Sequence, residues 1–423
     1  MLNLIKLTFL FAIFISLPIN IRAESILVKT SLDNLINLAI ENNTEIKVAQ
    51  QRSKITEVSK FDAKTNFLPN ISANYNEGTR RRTINNLNSK LSEDGKGISL
   101  EQPIFNGFSS IAQLKKANYE YDASRKKIAD IKNQIAFKVT EQYINIFYLD
   151  KIIALKIRNS NLLKEALELA NQSLKLQDID YAKFADISLK KNNSNLERDR
   201  DILRSKESKL ALRILIGQNL PLINQEPQLE NLPSLEELKI IAQNNNPALK
   251  EKILNIKARS SEVKVQSGKL LPKISLNLQY DDQNSSQFFG GQSVTNKVIS
   301  LNFKIPIFQK GTEYAALSRA KKERHLAHLE KKLNLEKITK DLMLSYSKYN
   351  SLLENIILLK NSISLSSESF ILIKERLKQQ DISKLDVLLQ ESALIAMKVE
   401  ALNLQIERSK HYFKIKEITD KIS

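Results

Sequence analysis

Two periodicities alternate along this chain. Between residues 70 and 105, Ile71, Ala73 and Tyr75 alternate with Ser72, Asn74 and Asn76. Ile98, Leu100 and Ile104 then alternate with Ser99 and Glu101, Gln102 being the polar exception in the apolar register. The alternation returns more cleanly at Ile274, Leu276, Leu278 and Tyr280, and again at Ile299, Leu301, Phe303 and Ile305. A period of two predicts strands with one apolar and one polar face. Segments of about nine or ten residues suit tilted membrane strands. Elsewhere the period is helical. Leu335, Ile338, Leu342, Ser345, Tyr349, Leu352, Ile356, Leu359 and Ile363 follow a 3-4 spacing. So do Leu385, Leu388, Ser392, Ile395, Val399, Leu402, Ile406, Ser409 and Phe413. Sustained heptads predict helices paired knobs-into-holes. Ser109 to Leu176 contains neither Pro nor Gly, which predicts one helix of roughly 100 Å at 1.5 Å per residue.

The pattern is written twice. Leu68-Pro69-Asn70-Ile71-Ser72 returns as Leu271-Pro272-Lys273-Ile274-Ser275, an offset of 203 (272 minus 69). Pro103-Ile104-Phe105 returns as Pro306-Ile307-Phe308, and Gln177-Asp178-Ile179 as Gln380-Asp381-Ile382, both at that offset. A constant offset over most of the chain predicts a duplicated unit, far longer than a solenoid repeat. The expected division is a signal peptide at 1–23, a first repeat at 24–230 and a second at 231–423. The first repeat is expected to hold strands at about 69–78 and 97–105, a long helix at about 109–176 and a hairpin turn at about 177–182. The second is expected to hold strands at about 272–281 and 296–306, a long helix at about 312–378 and a turn at about 379–384. Ser234 and Glu237 form a capping box at one helix start, and Asp381 or Ser383 is the expected cap after the second turn. Pro103 and Pro306 are expected to end the second strand of each pair.

Composition adds a compartment. A lysine and the apolar run Leu7 to Leu17, followed by Ile21-Arg22-Ala23, read as a secretory signal too short to span a bilayer comfortably. No other stretch reads as a transmembrane helix. The chain has no cysteine, which excludes disulfides, thiolate metal sites and an N-terminal lipidated cysteine. Its formal charge of +18 is scattered among acidic neighbours at helical spacing, so it reads as solvated helix faces rather than a nucleic-acid surface. Four strands cannot close a membrane barrel alone; if they span a membrane, the protein must oligomerise.

The order of elements resembles the TolC-type outer-membrane efflux proteins over about residues 30 to 420. The resemblance is carried by Leu68-Pro69-x-Ile71-Ser72 and its copy at Pro272. It also rests on Ile98-Ser99-Leu100-Glu101-Gln102-Pro103-Ile104-Phe105-Asn106-Gly107, on Pro306-Ile307-Phe308 with Gly311, and on Asp386-Val387-Leu388. It implies a mainly α fold with a membrane β part: a homotrimer with a 12-stranded barrel in the outer membrane and a long α-helical barrel in the periplasm. It implies a passive exit duct for efflux or type I secretion, with no cofactor. The partners implied are outer-membrane lipid, a periplasmic adaptor (membrane fusion) protein meeting turns Gln177-Asp178 and Gln380-Asp381, and an inner-membrane ABC or RND-type pump. The other class consistent with long hairpin helices is a periplasmic coiled-coil structural or adaptor protein.

The chain departs from that family's pattern at the expected entrance. Gln177 and Gln380 stand where the family often has Gly. Asp386 matches the first of two entrance aspartates, but Leu389 stands at the second. Ile382 stands for a locking arginine, and Lys183 for the aspartate it meets. Asp386 is therefore expected to form an acidic ring countered by Lys183.

No phosphate loop, dinucleotide fingerprint or nucleophile elbow is present, and the chain reads as a non-enzyme. His325 and His328, with Glu323 nearby, lack a third convergent ligand and read as exposed helix residues. Arg80-Arg81-Arg82 is placed in the first hairpin loop, either as a solubilising tip or against lipopolysaccharide phosphates. Phe288-Phe289-Gly290-Gly291 is placed in the second, where it would narrow the outer mouth.

Overall fold

The structure is a computed structural model that describes residues 31–84, 87–285 and 293–422. The expected signal peptide at 1–23 and the Phe288–Gly291 segment lie outside the described residues. Eight helices and four strands are described: α1 (Leu32–Asn42), α2 (Thr44–Thr65), β1 (Asn70–Ile84), β2 (Leu87–Asn106), α3 (Ser109–Lys175), α4 (Tyr181–Ile216), α5 (Leu235–Asn245), α6 (Pro247–Gly268), β3 (Lys273–Ser285), β4 (Ser293–Lys304), α7 (Thr312–Lys378) and α8 (Lys384–Ile418). Five of the six helix and strand starts from α1 to α4 recur 203 residues later.

Backbone geometry repeats as well. Among the described residues, those with positive φ form four pairs at the same offset: Gly107 and Lys310, Phe108 and Gly311, Gln177 and Gln380, Gly217 and Asp420. Left-handed backbone disfavours side chains, so its recurrence at Gln, Lys, Phe and Asp marks positions fixed by the fold rather than by residue choice.

The short helices start on side-chain caps. Ser31, Asn43, Ser234 and Asn246 each accept a backbone N–H in the first turn, and Ser234 with Glu237 completes the capping box. Two equivalent cores follow. Leu35, Ala39, Ile46, Ile135, Val139, Ile146 and Leu212 pack together in the first repeat. Leu238, Ala242, Leu249, Ile338, Leu342, Tyr349 and Ile415 do so in the second. A further cluster joins the repeats, with Ile144, Phe147, Tyr148, Leu149 and Ile152 of α3 against Ile395, Val399 and Ile406 of α8. Every member of both predicted heptad seams is buried or half-buried, as knobs-into-holes packing requires. The segment joining the repeats is clasped by three tyrosines. Tyr143 Oη donates to the Gln225 carbonyl at 2.7 Å and Tyr148 Oη to Glu226 at 2.9 Å; Tyr412 Oη accepts from the Glu230 N–H at 3.1 Å.

The four strands form one antiparallel sheet in the order β1-β2-β3-β4, leaving β1 and β4 as edges. Its register aligns the predicted apolar positions into rows, such as Ile71–Leu100–Leu278–Ile299 and Ala73–Ile98–Tyr280–Lys297. The opposite face carries Ser72–Ser99–Gln279–Val298 and Asn70–Glu101–Asn277–Ser300.

Four expectations are corrected. Pro103 does not end its strand: β2 continues to Asn106 through a register shift between Pro103 and Phe105, because a bulge absorbs the missing N–H. β4 ends at Lys304, two residues before Pro306. The strands run longer than the alternation suggested, so Arg80, Arg81 and Arg82 lie within β1 rather than in a loop; backbone pairing continues where the apolar alternation has stopped. Finally, α7 does contain a stretch long and apolar enough to cross a membrane, and it is mostly exposed. Its leucines fall on more than one face, so the run is apolar without being core.

Candidate functional site

Two regions carry the chemistry: the helix-hairpin tips and the strand-to-helix junctions. At the first tip the Asp178 N–H reaches the Ser173 carbonyl at 2.8 Å and the Gln177 N–H the Leu174 carbonyl at 3.1 Å. At the second, Asp381 reaches Arg376 at 3.0 Å and Gln380 reaches Leu377 at 3.1 Å. This is a Schellman closure, which satisfies the last helical carbonyls and needs a left-handed residue, usually Gly, just past the cap. Gln177 and Gln380 occupy that conformation, with φ of 63° and 62°. Asp180 then caps α4 by accepting from the Lys183 N–H at 2.8 Å, and Ser383 caps α8 by accepting from the Asp386 N–H at 3.1 Å. Of the two expected caps on α8, Ser383 is the one used.

The structure brings Lys183 and Asp386 together. Lys183 Nζ lies 3.4 Å from Asp386 Oδ1, and the other carboxylate oxygen accepts from Ser383 Oγ at 2.6 Å. The pair joins equivalent positions of the two repeats, and Asp386 sits in the first turn of α8, where the helix dipole favours an anion. Two more ion pairs tie α3 to α8 behind it: Glu165 with Lys384 at 2.5 Å, and Arg158 with Glu391, whose carboxylate is largely buried. Sequence reasoning missed both, because partners more than 200 residues apart leave no local signal. Leu389 and Ile382 do not join this polar set. Leu389 packs on Ala166, Ala170, Ile187, Leu385 and Leu388, and Ile382 on Phe370, Val387 and Leu394.

The junctions pin the sheet to the helices. Pro69 and Pro272 stand immediately before β1 and β3. Gly107, with φ of 66°, lies against the end of α6: a Cβ there would come within 2.1 Å of the Gly268 carbonyl oxygen. Ser109 Oγ donates to the Val265 carbonyl at 3.1 Å, and Asn106 Oδ1 accepts the Ser110 N–H at 3.2 Å. Gly311 also holds a left-handed turn, before α7, and a Cβ there would meet nothing within 4 Å. His325 and His328 are exposed on α7, and Glu323 pairs instead with Arg259 at 3.3 Å. Among the described residues no group of three metal-ligating side chains converges.

A cavity of about 670 Å³ lies between α3, α6, α7 and α8, lined by Asp130, Glu251, Asp341 and Glu417 together with Lys127 and Lys414. Burial pushes the Glu417 carboxyl up; Lys414 pulls it down, while Asp130 and Asp341 add to the rise. Burial likewise raises Glu251, against the pull of Lys127 and Lys252.

A strand pair is repeated at the ends of two helical hairpins whose longer helices, α3 and α7, run about 100 Å. Residues 241–415 match the family model described as outer membrane efflux protein. The chain is 19% identical over 365 residues to outer membrane efflux protein BepC of Brucella suis biovar 1 (strain 1330), covering 85% of this chain and 79% of that protein. Among solved structures, CusC superposes with a TM-score of 0.78 at 14% identity, covering 93% of this chain and 92% of that one. The Campylobacter jejuni CmeC outer membrane channel gives 0.77 at 16%, covering 92% and 85%. The chain is thus similar in sequence to outer-membrane efflux proteins and shares the fold of solved outer-membrane channels.

Proposed function

We propose that three copies of this chain form a passive exit duct. A four-stranded sheet with two free edges cannot close alone. Two copies would give a barrel of about eight strands, whose interior side chains fill; three give about twelve and leave a lumen. The apolar rows then face lipid, and the Ser/Asn/Gln rows face water. The 203-residue recurrence is read as a tandem duplication, with repeats at 24–230 and 231–423 after a signal peptide at 1–23, so the trimer is pseudo-sixfold.

One observation carries this reading. Within the chain, Leu155, Leu162 and Leu169 of α3 are half-buried against the clusters that include α8. Their equivalents on α7, Leu358, Leu365 and Leu372, are 62–67% exposed. On the partner side, the α8 positions Ser392, Val399, Ile406 and Phe413 are buried or half-buried. Their equivalents on α4 are Leu189, Leu196, Leu203 and Leu210, a heptad ladder 57–62% exposed. The joint that α3 and α8 make inside the chain therefore recurs, unfilled, on α7 and α4. A neighbouring copy fills it, α7 of one against α4 of the next, while β4 pairs with the neighbour's β1.

Introducing charge into the ladder tests this. Burying a leucine contributes about 1.5–3 kcal/mol, and burying an unpaired carboxylate costs more. Leu196→Glu with Leu203→Glu should abolish heat-resistant trimers in the outer-membrane fraction. Leu222→Glu, at an exposed site off the ladder, should not. Trimers that survive the double change would overturn the arrangement.

The helix tips form the periplasmic entrance. Gln177, Asp178, Gln380 and Asp381 are the surface offered to a periplasmic adaptor, and an inner-membrane ABC or RND-type pump supplies the energy. Asp386 contributes the acidic ring, and Lys183 holds it in the closed duct.

A further inference from the structure

We propose that the lipid-facing side of the sheet's outer half is a binding stripe for the phosphate groups of lipopolysaccharide, with Lys96 and Lys297 as a lower tier and Arg81 and Lys90 as an upper one. The inference rests on the barrel reading above and adds a lipid partner to it.

The register places these cations. On the apolar face, the rows Ile71–Leu100–Leu278–Ile299 and Ala73–Ile98–Tyr280–Lys297 are followed by Tyr75–Lys96–Asp282–Thr295. Tyr75 and Tyr280 thus stand where the apolar band ends, as girdle aromatics do at a membrane interface. Lys96 and Lys297 stand in the same two rows. The Lys96 side chain is 71% exposed, and Lys297 is exposed with its ammonium 6.0 Å from the centre of the Tyr280 ring. Their heads therefore reach the level of lipid headgroups while their stems lie along the apolar band. Arg81 and Lys90 pair six residues beyond Tyr75 on the same face, and both are exposed. That is about 20 Å farther along the strand at 3.3 Å per residue, the height of sugars and phosphates attached outside the lipid anchor.

At the level of the lower tier the cations are segregated. Across the four rows from Asn70 to Asn76, the opposite face carries no Lys or Arg: it reads Asn70, Glu101, Asn277, Ser300; Ser72, Ser99, Gln279, Val298; Asn74, Gly97, Asp281, Asn296; Asn76, Gly95, Gln283, Val294. That face carries Lys273 and Lys304 nearer the helices and Arg80 and Arg82 at the level of the upper tier, so the segregation singles out lipid for Lys96 and Lys297. Cations placed to attract a permeating anion would face the lumen. An acidic row, Glu77 and Asp94, separates the tiers, so each tier takes its own phosphate. Both acids are engaged locally: Glu77 accepts from Tyr75 Oη at 3.3 Å and Asp94 from Asn284 at 2.9 Å. In the lower tier Lys96 shares its charge with Asp282 at 3.5 Å.

The test uses the full-length oligomer in detergent, with bound lipid counted by native mass spectrometry. Diphosphoryl lipid A should bind more tightly than its dephosphorylated form. Each basic residue near an anionic surface contributes about fivefold in affinity. Lys96→Ser with Lys297→Ser should weaken diphosphoryl lipid A binding accordingly and leave the dephosphorylated form unchanged. Arg81→Ser with Lys90→Ser should spare lipid A and weaken only lipopolysaccharide carrying core phosphates. Asp282→Asn frees Lys96 and should tighten lipid A binding, so the proposal is testable even if the lysine variants fold poorly. Unchanged binding in all three variants by an oligomer still found in the outer membrane overturns this inference alone. Absence of the chain from the outer membrane overturns it together with the barrel reading.

Discussion

Gly107→Ala tests whether the junction between sheet and helices depends on close backbone approach. Two costs apply. The residue has φ of 66°, and a left-handed residue with a Cβ costs about 1–2 kcal/mol. The added carbon would also sit 2.1 Å from the Gly268 carbonyl oxygen and 2.8 Å from Leu271 Cβ. Its nearest obstacle is backbone, so α6 must move, and overpacking of this kind costs about 1–3 kcal/mol. Together the loss is about 2–5 kcal/mol. Gly311→Ala separates the two costs, because it has φ of 78° and nothing within 4 Å; only about 1–2 kcal/mol of strain applies there. Gly268→Ala supplies the clash without the strain, its Cβ falling 2.3 Å from the Gly107 carbonyl oxygen. Since either Cβ pushes the same contact apart, the double variant Gly107→Ala/Gly268→Ala should lose less than the two singles summed. The readout is the temperature at which the detergent-solubilised oligomer loses helical circular dichroism, at one fixed heating rate because unfolding of such proteins is irreversible. Equal shifts for Gly107→Ala and Gly311→Ala, or strict additivity in the double variant, would refute the close-approach argument.

Three further outcomes follow from particular groups. Burial holds the Glu417 carboxyl above the ordinary carboxylate range, so the folded state binds that proton more readily than the unfolded chain. Its contribution is favourable at low pH and is lost as pH rises through the raised folded value; Glu417→Gln should therefore melt higher than the parent near pH 7, with the advantage vanishing on acidification, as thermal melts across that range would show. Asp386→Asn should reduce cation over anion permeability in a planar bilayer; unchanged selectivity would remove Asp386 from the entrance. Lys183→Glu places like charges where 3.4 Å now separates opposite ones; the pair is half-exposed and contributes about 1 kcal/mol at most, so stability should barely change while the closed-state conductance rises.

The sequence disclosed the elements that rest on local rules. Strand faces follow a period of two, helix seams follow heptads, and caps such as Ser234 with Glu237 are written in four residues; all three appear in the structure. Gln177 and Gln380 hold a left-handed backbone, which neither residue type advertises. What the sequence obscured is non-local. Strand ends were misjudged at Pro103, where a bulge lets the ladder continue, and at Arg80 to Arg82, where pairing outlasts alternation. The ion pairs Glu165–Lys384 and Arg158–Glu391 depend on the docking of α3 on α8, and no spacing rule reports that. The exposed run on α7 escapes the heptad rule because its exposed leucines, such as Leu358, Leu365 and Leu372, lie outside the seam.

The repeats differ most where they meet their neighbours, and this bears on how a closed duct could open. Inside the chain the joint is apolar and aromatic, with Ile144, Phe147, Tyr148 and Ile152 buried against α8. The equivalent positions on α7 are Ser347, Asn350, Ser351 and Asn355. In the proposed trimer the joint between copies therefore holds chiefly through its leucine ladders, and it buries fewer large side chains. Each large apolar side chain kept from water contributes about 1.5–3 kcal/mol, so four such replacements leave the outer joint weaker by several kcal/mol. Toward the tip the inner joint exchanges the aromatic cluster for smaller apolar side chains, Ala166, Ala170 and Ile187 with Leu385 and Leu388, joined by the half-exposed Lys183–Asp386 pair and the Glu165–Lys384 pair. On the proposed reading, an adaptor acting on the tips would have two low-cost ways to widen the entrance, parting the copies or releasing Asp386 from Lys183, and both would leave the aromatic cluster intact as a pivot.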